Sequence, residues 1–83
     1  MPIHRHRNTS EMMVMVRGAL IERFYNDEGT LEQEFEMRAG GKCTVVQIEA
    51  GQWHSLEVLE SGTIIFEAKD GSYEPLSTND IMQ

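Results

Sequence analysis

Leu31-Glu32-Gln33-Glu34-Phe35-Glu36-Met37 decides the fold class of this chain. Glu is a good helix former, so composition alone permits a helix here. Leu31, Phe35 and Met37 nevertheless fall on one parity, with Glu32, Glu34 and Glu36 on the other. Period-2 alternation marks a strand with one dry face and one wet face. Turn chemistry bounds it on both sides, Asn26-Asp27-Glu28-Gly29 before and Gly40-Gly41 after. The stretch reads as a strand.

The neighbouring segments follow the same logic. Glu11 to Arg17 is rich in Met and Val, Ala19 to Tyr25 is apolar and aromatic, and Gly18 marks a bend or bulge between them. Cys43 to Ile48, Trp53 to Val58 and Thr63 to Ala68 are further short strands, separated by Glu49-Ala50-Gly51-Gln52 and Ser61-Gly62. Evenly spaced short strands with turn signals predict an all-β sandwich, antiparallel barrel or jelly roll. Residues 1–83 form one domain, with the barrel over 1–68 and a polar, surface-lying C-terminal tail over 69–83.

Seven basic against fourteen acidic residues give a formal net charge of -7. That charge argues against nucleic acid, which is bound by neutralising phosphates, and against an anionic membrane surface. No apolar run reaches the roughly 18 residues of a membrane-spanning segment, and no secretory segment is visible. Cys43 is alone, so there is no intrachain disulfide framework, and the chain reads as cytoplasmic. Inside an apolar strand, Cys43 is a small core residue rather than a nucleophile.

The chemistry-bearing residues are the three histidines and one glutamate. His4 and His6 lie two apart, so an extended segment points both imidazoles to one face. Asn8-Thr9-Ser10 supplies a turn, after which Glu11 opens the next strand and returns beside His6. His54 stands at the mouth of a later strand, where a closed barrel would face it towards that first hairpin. Three imidazoles and one carboxylate suit a divalent transition metal such as Zn, Fe, Mn or Ni, with positions left open for water or substrate.

The segment H-R-H-R-N-T-S-E-M-M-V-M-V-R-G resembles the first motif of the cupins: His-x-His, a short spacer, Glu, six residues, then Gly. E-A-G-Q-W-H is similar to the second motif, with Glu49 replacing its usual Pro and Val58 lying where Asn is common. W-H-S-L followed by I-I-F-E-A-K-D-G-S-Y-E-P looks like the WbuC family of cupin-fold metalloproteins, over roughly His4 to Pro75. The resemblance implies a small cupin-type barrel with His4, His6, Glu11 and His54 as metal ligands. It also implies an association with surface-polysaccharide biosynthesis and a small polar or sugar-derived ligand. Cupins usually carry strands before His-x-His, where this chain has three residues. A truncated form or a partner chain filling the vacant edge are the two expectations, and the second predicts a homodimer.

Three functional readings stand at this point. The first is a metal-dependent enzyme, with isomerisation, lyase, oxygenation and hydrolysis all open. The second is a non-catalytic ligand-binding or sensing module, and the third is a barrel with a purely structural metal. Glu67 shares a parity with Ile65; facing inward, it would be an acid–base group, although Glu is usually exposed. Arg5 and Arg7 alternate with the histidines and read as solvated, with Arg17 and Arg23 on similar strand faces.

Overall fold

The computed structural model describes residues 2–82. Met1 and Gln83, the expected limits of the domain and its tail, lie outside the described residues. Six strands appear in chain order: β1 (Glu11–Arg17), β2 (Ala19–Tyr25), β3 (Leu31–Arg38), β4 (Val45–Ile48), β5 (Trp53–Val58) and β6 (Ile64–Lys69). One short 3₁₀ turn follows at Thr78–Asp80. Among the described residues no helix is long and apolar enough to cross a membrane.

The strands form two three-stranded antiparallel sheets, ordered β4-β1-β6 and β3-β2-β5. The all-β expectation holds, and the alternating stretch is strand β3. The closed barrel does not form. β1 and β2 are each flanked on both sides within their own sheet, so neither has an edge free to join the other. Gly18 carries the chain from one sheet to the other with φ 86°, a left-handed conformation that glycine adopts without steric cost. A Cβ there would collide with the Thr63 hydroxyl and lie 2.9 Å from Thr63 Cα.

The core lies between the sheets. Met13 and Met15 of β1 meet Leu20 of β2 and Met37 of β3, all buried, with Phe35, Val46, Leu56 and Ile65 packed around them. Cys43 packs against this cluster as a free thiol, which fits its reading as a small apolar residue. Three unbranched Met side chains fill a small, irregular space that stiffer residues would leave partly empty. Leu31, expected on the dry face, is exposed, because the ladder slips between Phe24 and Tyr25 just where it should turn inward.

The tail follows the expected polar surface course only in part. Residues 71–79 are exposed, but Asp80 is buried and Ile81 pairs with His4. The His4 segment is therefore held by this chain on both sides, between β5 and Ile81. The vacant edge expected there is filled without a partner.

Candidate metal centre

The His-x-His segment owes its position to main-chain bonds on four consecutive residues, which turn alternately to the β5 side and to the Asp80–Met82 side. His4 exchanges two with His54, Arg5 N donates to Asp80 O at 2.9 Å, and His6 O accepts from Gly51 N at 2.8 Å. Met82 N adds a bond to Ile3 O at 2.8 Å. This extended geometry puts His4 and His6 on one face, as their spacing predicts. The expected hairpin of that segment with β1 is absent, because β4 and β6 already occupy both edges of β1.

His4, His6 and His54 each offer a ring nitrogen, and these three atoms lie within 4.8 Å of one another. The ring centroids of His4 and His54 are 4.3 Å apart, and that of His6 lies 5.4 Å and 5.9 Å from them. His4 Nδ1 is 3.0 Å from Pro2 O, and His54 Nδ1 is 2.8 Å from Gln52 O. A carbonyl only accepts, so each Nδ1 carries a proton; neutral His4 then keeps its lone pair on Nε2, while His54 Nε2 shares a proton with Glu11 Oε1 that a metal would displace. Metal-ligating histidines are commonly oriented in this way, through a bond from the other ring nitrogen.

Glu11 enters from the opposite sheet. Its Oε1 is 3.3 Å from His54 Nε2 and 3.6 Å from His6 Nε2, so it faces two of the three imidazoles. The hydrogen bond with His54 holds the Glu11 carboxyl below the usual carboxylate range, against the opposing effect of burial. Burial disfavours the charged form of His54, but the Glu11 bond and the Gln52 carbonyl outweigh it and push its pKa up. Burial dominates at His4 and His6, whose pKa values fall. A neutral imidazole with a free lone pair is the form that binds a metal. The donor set fits a divalent transition ion.

The four residues expected as ligands are thus brought together, along with two further carboxyls. They line a cavity of about 140 Å³ that also includes Glu22, Glu67, Leu56 and Lys69. Glu67 sits at its rim, and burial with the nearby Glu11 charge raises its pKa. Glu22, which the sequence reading passed over, is 0% exposed and neither carboxyl oxygen has a partner. Burial pushes its carboxyl up to about 7, with Glu11 and Glu67 adding to the rise and His54 opposing it. The signal for Glu22 was present: it shares the parity of Leu20 and Phe24 on β2.

Arg5 is half-buried, which corrects its solvated reading, while Arg7 is exposed as expected. Arg5 Nε is 3.2 Å and Arg7 Nη2 3.0 Å from the same Asp80 oxygen, and the Arg5 guanidinium lies 4.5 Å over the Trp53 ring. Burial would raise the Asp80 pKa, but its bonds to Arg5, Ser77 and Arg7 bring it down to about 2. Arg23 bridges Glu34 and Glu57 on the outer face, away from the cavity. These arginines grip the chain's own carboxylates. No family model, curated protein or solved structure matches this chain.

Proposed function

We propose that this chain is a metal-binding protein of the cupin type, close to the WbuC-like members. In this reading it holds one divalent transition metal through His4, His6, Glu11 and His54 and takes a small polar or sugar-derived metabolite. The observation that carries the reading is the convergence of all three histidines, a ring nitrogen of each lying within 4.8 Å of the others. A divalent ion there would polarise a ligand oxygen or activate water. The chain's own residues do the rest: Glu11 balances charge, the Nδ1 bonds fix ring orientation, and the two sheets exclude solvent. Glu67 at the rim is the acid–base candidate, and the free Cys43 accords with a reducing, cytoplasmic setting.

Metal analysis of untagged protein tests this reading. Near-stoichiometric metal that is lost in His54→Ala is expected; no metal in any preparation overturns it. A panel of sugar-derived metabolites then separates an enzyme from a binding module. A melting temperature unchanged on metal removal would eliminate the structural-metal alternative.

We also propose that the protein is a homodimer, joined through the outer face of the β4-β1-β6 sheet rather than through a strand edge. Met12, Val14 and Val16 of β1 lie on that face, with Val45 of β4 and Ile64 and Phe66 of β6. Phe66 is 60% and Val16 56% exposed. Gln47 and Ala68 complete the face, and the exposed Arg17, register partner of Ile64, stands at its end, so the face carries no acidic residue on a chain of net charge -7. A contiguous apolar patch bounded by charge marks an interface, and a like-charged copy meets least repulsion there.

A further inference from the structure

Three buried side-chain oxygens have no hydrogen-bond partner among the described residues: Glu11 Oε2 and both oxygens of Glu22. All three belong to residues lining the cavity of the histidines. Buried polar groups in folded proteins are nearly always satisfied, and each exception calls for a partner or a role. Here the exceptions converge on one place. The cavity, about 140 Å³ in volume, admits about four or five waters or one molecule of similar bulk.

Glu22 reaches this cavity from the middle of β2, flanked on its own parity by Leu20 and Phe24. An apolar side chain there would simply continue the wall. Instead the chain buries a carboxyl completely where no donor of its own reaches it, a costly arrangement unless something else supplies the bond.

We propose that Glu22 is a recognition group for a ligand hydroxyl, so that the site selects small hydroxylated oxygen ligands, such as 2-hydroxy acids, over analogues lacking that hydroxyl. The inference rests on the metal-binding reading above. Ionised or protonated, a carboxyl retains an oxygen that needs a donor. An O–H supplies it without adding charge, whereas an ammonium would be repelled by the ion held beside it. Glu11 Oε2 offers a second acceptor in the same cavity. An analogue without the hydroxyl leaves Glu22 unpaired, and sites built to bond a hydroxyl reject such analogues strongly.

Glycolate and acetate, which differ by one hydroxyl, are the probes. Co(II) binding to untagged protein is first followed by visible absorption, and each acid is then titrated into the loaded protein. The ratio of glycolate to acetate affinity is compared between the wild type and two apolar variants, Glu22→Leu and Glu22→Met. Glycolate chelates metals better than acetate in water, so the informative quantity is the change in that ratio. A fall of about tenfold or more in either folded variant is expected, the worth of one hydrogen bond to a charged group. An equal ratio in wild type and variants overturns the proposal and leaves Glu22 facing water only. Loaded wild type that binds neither acid overturns it as well. Absence of Co(II) binding overturns the metal reading and this inference with it, a failure recognisable before any acid is added.

Discussion

His4 and His54 exchange both main-chain hydrogen bonds, His4 N to His54 O at 3.0 Å and His54 N to His4 O at 2.8 Å. Two imidazoles far apart in sequence thereby become direct neighbours across a strand pair, one rung of a ladder fixing both. The third strand of that ladder is Ile81, and Asp80 beside it secures Arg5 and Arg7 on either side of His6.

Asp80→Ala should therefore weaken metal binding although Asp80 touches no ligand atom. A loss of about tenfold in affinity is expected, at the low end for residues that orient metal ligands. Competition against a chromophoric chelator measures it, and an unchanged affinity would show that the clasp is dispensable. The depressed Asp80 pKa gives the pH window. Its stabilising contribution is fully present above the ordinary value of 3.8 and disappears as pH falls through about 2. The clasp is therefore closed wherever the histidines are neutral.

Glu22 makes stability depend on pH in the opposite sense. Its folded value of about 7 lies above the ordinary 4.5, so the folded chain holds this proton more tightly than the unfolded chain. Stability falls as pH rises from about 4.5 to about 7 and levels off above, a contribution of up to about 3 kcal/mol. In metal-free protein, Glu22→Leu should melt above wild type at pH 7 and lose most of that advantage by pH 5. Titration of His4 and His6 is common to both proteins, and only the part of the His54 rise that Glu22 supplies differs between them. A difference independent of pH would contradict the raised pKa.

Phe66→Glu places a charge on the apolar sheet face, beside Val14 of the central strand. Light scattering should give a dimer mass for the wild type and a monomer mass for the variant, with metal content unchanged. A monomeric wild type at working concentration would reject the dimer.

Gly18→Ala should cost about 2–4 kcal/mol, from the positive φ together with the collision against Thr63. For a chain this small the melting temperature should drop by about 10 °C or more. Thr63→Ala in the same background should not restore it fully, because Thr63 Cα also stands in the way.

The histidine cluster was legible because these residues are few and their spacing matches an extended segment. β3 was legible because Glu and apolar residues alternate on it without a break. Neither signal speaks of how sheets are joined, so the closed barrel was expected where two separate sheets form. The return of Asp80 and Ile81 to His4 left no trace in the sequence, since a single rung of pairing has no periodicity to read. Glu22 was readable by parity, but a Glu between Arg23 and Ile21 is more simply taken for an outward charge.

The pairing of His4 with Ile81 also carries a consequence for the order of events during synthesis. His4 waits for Ile81, made 77 residues later, before its strand is complete. Until then the segment of His4 and His6 can be held on one side only, through His54 and Gly51. Selective loading of the proposed site would in this sense follow the making of Ile81, and the free-metal pool at that moment would bear on which ion is taken up.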